Sequence, residues 1–293
     1  MKSDKITVFT PTYNRGYILE RAYKSLLNQT NKSFVWLIID DGSTDNTEFL
    51  VKKWIKEDKI DIKYYKQKNG GKQRAHNKAV KITDTELFIC LDSDDYFTKD
   101  AIEVLISKWN KIENKDKISG IVALKGSDKN TPIGTWLPSN IKFSHLNKLE
   151  SEYGFKGDTA LLFRTDILMQ YPFWVAKDEK FMGEGYIYQQ IDQKYKMYVL
   201  NKIICICEYL EDGYTKNIRE LIKENPKSYM ELNKQAAIYS TSLKKRYIKT
   251  IKYMLGFILS EKSNPFKKYP YKILGILAYI PALLYYFIKY KDI

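Results

Sequence analysis

Three polar clusters stand directly behind apolar runs in the first hundred residues: Thr10-Pro11-Thr12-Tyr13-Asn14-Arg15, Asp40-Asp41-Gly42-Ser43-Thr44-Asp45 and Asp92-Ser93-Asp94-Asp95. A turn or a helix cap needs one carboxylate. Like charges side by side repel and raise one another's pKa, so the surplus acids at Asp92, Asp94 and Asp95 ask for a cation. The Asp-x-Asp spacing of Asp92 and Asp94 offers hard oxygen ligands. These suit Mg²⁺ or Mn²⁺, which keep water and substrate phosphate in their remaining positions. Such an ion acts as a Lewis acid toward a departing phosphate. Asp95 is expected to cap or start the following turn. A fourth stretch, Asn69-Gly70-Gly71-Lys72-Gln73-Arg74, joins two glycines that permit close backbone approach to two cations at a helix start, a combination that favours anions.

The elements that must hold these clusters follow from hydrophobic periodicity. Lys5 to Thr10, Phe34 to Ile39, Ile60 to Tyr65 and Glu86 to Leu91 are rich in apolar and β-branched residues and predict strands. Between them, Tyr17 to Gln29 repeats Ile18, Ala22 and Leu26 at helical spacing. A second helix carries Phe49, Leu50, Trp54 and Ile55, with Thr44 or Asp45 as its cap. Arg74 to Ile82 and Lys99 to Trp109 complete a βα alternation, which predicts a largely parallel sheet. In such sheets ligands bind outside the carboxyl ends of the strands, where all three acidic or polar clusters fall. No G-x-G-x-x-G follows the first strand and no G-x-x-x-x-G-K-[ST] occurs, so dinucleotide and P-loop sites lose their main support.

The order TPTYNR, IIDDGSTD, NGGKQRAHN and CLDSDD resembles the family 2 glycosyltransferases, over residues 5 to 100 by motif and on to about 215 by pattern. The resemblance implies an α/β fold of the GT-A type, Rossmann-like, with a mostly parallel central sheet flanked by helices. It divides the chain into a catalytic domain at 1–220, with a nucleotide-sugar half at 1–100 and an acceptor half at 101–220, and a basic helical extension at 221–293. It implies a metal-dependent, inverting transfer of a sugar from a nucleoside diphosphate to a hydroxyl. Uracil is the commonest donor base in the family, and thymidine and guanosine donors also occur. Thr10, Pro11, Tyr13 and Arg15 are then expected against the nucleotide and Asp41 against its base or ribose. Gly71, Lys72 and Arg74 are expected at the donor, with Asp92 and Ser93 beside it. Asp94 is the direct ligand of Mn²⁺ or Mg²⁺, and Asp92 faces ribose or metal. His76 stands where relatives often carry Arg and receives no catalytic role.

The second half must supply the acceptor side and a base. Phe155 to Leu168 places Gly157-Asp158 at a turn into a strand, a position that in the family lies near the acceptor. Glu184 precedes an amphipathic helix with Ile187 and Ile191. Many relatives carry Glu-Asp there, whereas this chain has Glu184-Gly185. Either Glu184 is the general base or Asp158 serves, and Glu184 as a plain acid at a helix start remains the structural alternative. Ile203 to Asn217 reads as the last catalytic strand and its exit loop, with Tyr209, Asp212 and Tyr214 placed to cover a diphosphate.

Composition bounds the rest. With 293 residues, 44% of them hydrophobic, the chain can bury a sizeable core. Its three cysteines, Cys90, Cys205 and Cys207, have neither disulfide-framework nor zinc-ligand spacing, which suggests a reducing cytoplasmic setting. Ile6 to Phe9 is too short for a signal-peptide core. Of the net charge of +14, about +9 lies in residues 241–293, where eleven Lys or Arg face two acids. That asymmetry argues against a nucleic-acid groove through the main domain and for a basic appendage. Ser242 to Leu259 reads as a basic amphipathic helix. Lys272 to Lys291 holds too short an apolar run to span a bilayer and is interrupted by Pro281, so a shallow anchor on an anionic leaflet is expected, peripheral on the inner face of the cell membrane. Packing on the catalytic domain or on a second subunit, as a homodimer, is the alternative. A lipid-linked or cell-surface glycan acceptor follows from a membrane-associated transferase. A nucleotidyltransferase and a nucleic-acid binder are the rival functions. The first calls for a Gly-rich basic loop after the first strand, which TPTYNR is not, and the second leaves the aspartate clusters without purpose.

Overall fold

The computed structural model describes residues 5–208, 217–260, 264–266 and 269–291. In chain order the first half runs β1 (Ile6–Thr12), α1 (Glu20–Leu27), β2 (Phe34–Asp40), α2 (Thr47–Glu57), β3 (Ile62–Lys66), α3 (Lys72–Ile82), β4 (Leu87–Cys90), β5 (Tyr96–Phe97) and α4 (Ala101–Asn110). It continues through β6 (Ile118–Gly126), β7 (Phe143–Ser144), α5 (Leu146–Ser151), β8 (Thr159–Arg164), α6 (Thr165–Leu168), α7 (Gly185–Asp192) and β9 (Lys196–Ile206). Four helices follow: α8 (Ile218–Glu224), α9 (Pro226–Tyr239), α10 (Leu243–Leu259) and α11 (Lys272–Lys289). By contacts the chain forms two compact units, Met1–Pro172 with Gln190–Glu208, and Phe173–Gln189 with Tyr209–Ile293. Residues 173–189, which the sequence assigns to the acceptor half, thus group with the C-terminal helices.

The first unit is built on one sheet in the order β3-β2-β1-β4-β8-β6-β9-β5, with β7 added to β9. β3, β2, β1 and β4 are parallel, as βα alternation requires. β8 runs antiparallel between β4 and β6, and β6 and β9 are again parallel. Every residue of β2 is buried, which explains why Phe34 to Asp40 reads as a continuous apolar run rather than an alternating one. Helices cover it through aromatic packing. Tyr23 of α1 stacks on Trp54 of α2 at 4.3 Å between ring centroids and on Trp36 of β2 at 6.1 Å.

Register decides where the clusters emerge. Thr12 at the end of β1 pairs with Asp40 at the end of β2, and Phe9 pairs with Cys90 at the end of β4. The TPTYNR, DDGSTD and DSDD stretches therefore leave three adjacent strands at their carboxyl ends, on one side of the sheet. Thr10 braces those ends. Its hydroxyl is fully buried, accepts from Trp36 Nε1 at 2.9 Å and donates to the Leu91 carbonyl at 2.8 Å.

In the second unit, α10 packs against both α9 and α11 around Met230, Ala237, Tyr253, Met254, Ala278 and Ala282. Glu179 is buried and accepts from the backbone N–H groups of Lys227 and Ser228, both at 2.7 Å, in the first turn of α9. Asn225 Oδ1 returns the link by accepting from the N–H groups of Lys180 and Phe181. Orphan donors at a helix start and the positive end of its dipole make this the natural seat for a carboxylate.

Candidate functional site

The loop after β1 and the loop after β2 are tied together. Asn14, in a left-handed conformation at φ 52°, accepts from Thr44 N–H through Oδ1 at 2.8 Å, and its own N–H donates to Ser43 Oγ at 2.9 Å. Asp45 accepts from Gly16 N–H and from Thr47 N–H, so it satisfies one donor at the start of α2 as the sequence suggests. A Cβ at Gly16 would fall 2.0 Å from Asn46 Oδ1, so a larger residue there would displace the Asn46 side chain. These bonds leave Tyr13 half exposed, with Arg15 donating to Tyr17 Oη at 2.5 Å.

Asp41 holds the glycine loop. Only 4% exposed, it accepts from Gln67 Nε2 at 2.7 Å, from Gly70 N–H at 2.9 Å and from Gly71 N–H at 2.7 Å. Gly71, at φ +93°, then turns the chain into α3. The family resemblance implies a place for Asp41 at the base or ribose; in the structure its carboxylate is occupied by this loop. Arg74 likewise turns back and donates to the Gly70 carbonyl at 2.7 Å. Thr10, expected against the nucleotide, is the buried brace described above, bonded to Trp36 and Leu91.

Lys72, the first residue of α3, donates to Asp92 Oδ1 at 2.5 Å. The other oxygen of Asp92 lies 3.4 Å from Lys125 Nζ, and that ammonium also donates to Asp95 Oδ2 at 2.6 Å. Lys125 sits near the end of β6, in a position no motif singles out. Its signal in the sequence is a single cation ending the apolar run Ile118 to Leu124, and a buried cation requires a carboxylate partner. Asp95 is therefore not a helix cap. It is buried and paired, while Asp100 occupies the position before α4.

The electrostatics separate the three aspartates. Burial opposes the charge of Asp92, but Lys72 and Lys125 outweigh it and hold this carboxyl well below the usual range. Burial, offset in part by Lys125, pushes Asp95 up to about 6, with the charge of Asp92 adding to the rise. Asp94 is also raised, by burial and then by Asp92, with the charges of Arg15 and Lys72 acting the other way. Ser93 is buried between them. Cys207 responds to the same cluster: burial first, then Asp95, opposed by Lys125 and reinforced by Asp158 and Asp92, takes its thiol to about 12.

Asp158 belongs to this neighbourhood. Its carbonyl accepts from Lys125 N–H at 3.1 Å, and its own N–H donates to the Ile133 carbonyl at 3.2 Å. The bridge between Gly134 and Gly157 beside it allows no side chain, since a Cβ on either would approach backbone oxygen within about 2 Å. Glu184 lies in the second unit, exposed, directly before α7. His76 packs edge-on against Phe9 and Phe88, and burial followed by the charge of Lys72 lowers it to about 3, which makes it a neutral packing residue. Tyr209, Asp212 and Tyr214 lie outside the described residues.

Among the described residues no three His, Cys, Asp or Glu side chains form a metal cluster. A divalent ion that retains water and substrate phosphate needs only one or two protein carboxylates. Asp94, with its charge disfavoured by burial and by Asp92, is relieved by such an ion, so the donor set fits one.

Comparison with known proteins gives a consistent set of similarities. The model of glycosyl transferase family 2 matches residues 7–171, more than half of the chain. Poly(ribitol-phosphate) beta-N-acetylglucosaminyltransferase TarP of Staphylococcus aureus is 34% identical over 141 residues, 47% of this chain and 42% of that protein. A GalNAc(5)-diNAcBac-PP-undecaprenol beta-1,3-glucosyltransferase of Campylobacter jejuni is 31% identical over 141 residues, 44% of this chain and 45% of that protein. The chain spans less than half the length of these relatives. Among solved structures, S. aureus TarS 1-349 in complex with UDP-GlcNAc aligns over 97% of this chain and 92% of its own, with a TM-score of 0.61 at 16% identity. A mannosyltransferase of Pyrobaculum calidifontis in complex with GDP-Man and Mn²⁺ aligns over 98% and 88%, with a TM-score of 0.58 at 14% identity. At these identities the structural likeness speaks for the fold.

Proposed function

The chain belongs to glycosyl transferase family 2, and from that premise we propose that it transfers a sugar, with inversion, from a UDP-sugar to a hydroxyl of a lipid-linked or cell-surface glycan. The observation that carries this reading is the convergence of the carboxyl ends of β1, β2 and β4 with the glycine loop before α3. That places a close-approach backbone, a cationic helix start and a cluster of carboxylates where α/β sheets bind ligands. The UDP-GlcNAc bound to TarS and the undecaprenol-linked substrate in the name of the C. jejuni relative support the donor and acceptor classes. The same reading puts the enzyme in the cytoplasm, peripheral on the inner face of the membrane.

Asp94, with Asp92 beside it, would hold Mn²⁺ or Mg²⁺. When bound, that ion stabilises charge on the leaving nucleoside diphosphate. The protein's own residues do the rest. Gly70 and Gly71, fixed by Asp41, bring backbone close to the diphosphate. Lys72 adds positive charge at the start of α3, and Tyr13 and Arg15 bound the nucleotide side. A single base removing the acceptor proton, with direct displacement, inverts the anomeric centre. Glu184 takes that role, with Asp158 as the alternative carboxylate.

The test compares Glu184→Gln and Asp158→Asn in single-turnover transfer and in UDP binding. Loss of about 10²-fold or more in turnover for Glu184→Gln, with UDP affinity unchanged, fits a base. Full activity in Glu184→Gln with loss in Asp158→Asn would transfer the role, and an α-linked product from an α-linked donor would overturn inversion.

A further inference from the structure

The two sides of α11 differ sharply. Gly275, Ala278 and Ala282 are buried on one side, and Ala278 and Ala282 have no exposure at all. The packing is close there: a Cβ on Gly275 would lie 2.6 Å from Met254 Cε of α10. Ile273, Ile276, Ile280, Leu284, Phe287 and Ile288 are 49–76% exposed. At about 100° per residue these six share one face, roughly opposite the small residues. Tyr279 and Tyr285, also exposed, fall on its two flanks, and exposed Lys272 and Lys289 close its ends. A contiguous apolar face of this kind marks an interaction surface, not ordinary solvent exposure.

We propose that this face of α11 is a docking surface for an anionic lipid leaflet, with the helix lying in the plane of the membrane. Two observations select that occupant. Residues 241–293 hold eleven Lys or Arg against two acids, so a second copy docked on the same face would set about +9 against +9, whereas anionic headgroups complement it. Tyrosines flanking an apolar face suit the boundary between headgroups and acyl chains. By length and composition α11 is apolar enough to cross a membrane, against the expectation that its apolar run is too short, and its packing is what favours the membrane plane. Its 18 residues reach about 27 Å against a hydrocarbon core of about 30 Å, and one side is committed to α10. A helix packed along one side and apolar along the other fits an interfacial placement, with its open face toward lipid.

The docking face deepens the peripheral membrane placement proposed above and rests on it, but it is tested by binding alone, without any transfer reaction. The full chain is sedimented with vesicles of phosphatidylcholine, and of phosphatidylcholine with 30% phosphatidylglycerol, beside the Ile276→Glu/Ile280→Glu variant. Light scattering gives the oligomeric state, and thermal melts check folding. The expected result is strong sedimentation with anionic vesicles, at least tenfold weaker with neutral ones, and at least a tenfold loss in the folded double variant. Both substituted positions are exposed, so the fold should survive. Equal vesicle binding by the double variant overturns the proposal. So does a dimer that the substitutions dissociate without any vesicle binding by the wild type. UDP-sugar turnover in detergent-free solution is measured in parallel, so a failed transferase reading leaves the vesicle result intact.

Discussion

Replacing Lys125 by Met removes the ammonium that joins Asp92 to Asp95 while nearly keeping the length and volume of the side chain. In the wild type that ammonium is 2.6 Å from Asp95 and 3.4 Å from Asp92, with 17% of the Lys125 side chain and 5% of Asp95 exposed. Breaking a buried pair by removing one partner costs about 3–5 kcal/mol, because the remaining charge is left uncompensated. Asp95 has an escape. Burial already takes its carboxyl up to about 6, and losing Lys125 removes the group that opposes this rise, so it accepts a proton near neutral pH. A tenfold change in proton affinity is worth about 1.4 kcal/mol, so taking up that proton caps the expected loss at the lower end, about 3 kcal/mol. At roughly 2–4 °C per kcal/mol for a protein of this size, Tm falls by about 6–12 °C at pH 7. Melts followed by circular dichroism on the wild type, Lys125→Met, Asp95→Asn and the double variant give the coupling energy. It should reach about 2 kcal/mol at pH 7 and shrink toward pH 5, where Asp95 is neutral without help. A Lys125→Met variant melting within about 1 °C of wild type, or a coupling below about 0.5 kcal/mol, would refute the reasoning.

Asp94→Asn should raise the Mn²⁺ concentration for half-saturation about tenfold or more, a loss of about 1.4 kcal/mol, when free Mn²⁺ is followed by EPR in the presence of UDP. An unchanged titration removes Asp94 as a ligand. His76 contributes a pH dependence of definite sign. Its folded pKa, lowered to about 3, lies below the unfolded value near 6.5, so in that window the unfolded chain binds the extra proton and stability falls as pH drops. The slope is at most about 1.4 kcal/mol per pH unit, and His76→Leu should flatten it in urea titrations at about pH 4.5 to 7. An identical slope in the variant would show that other groups carry the dependence.

Much of the first unit is legible in the sequence because its signals are local. The apolar runs Lys5 to Thr10, Phe34 to Ile39, Ile60 to Tyr65 and Glu86 to Leu91 end within two residues of the ends of β1 to β4, and the glycines and acids that follow them form loops as expected. Other features have no local signal. The sheet is largely parallel through β4, but β8 enters antiparallel, and the run Ile118 to Leu124 of β6 is buried without period, which does not tell strand from helix. Position at a strand end makes Thr10 and Asp41 look like ligand contacts. Their side chains also satisfy buried partners within the fold, an accounting that only three-dimensional neighbours reveal.

The amino-acid order alone determined the family resemblance, the alternation of strands and helices, the placing of the aspartates at a strand end and the basic, tyrosine-rich character of the C-terminal helices. It could do so because period, turn chemistry and charge are properties of neighbours in the chain. Only the tertiary structure decided that Lys72 and Lys125 converge on Asp92 and hold it low while Asp94 and Asp95 are both raised, and that α11 turns its alanines inward and its isoleucines out. Lys125 and Asp95 are 30 residues apart, and a pair of that kind exists only once β6 and the β4 loop are brought together.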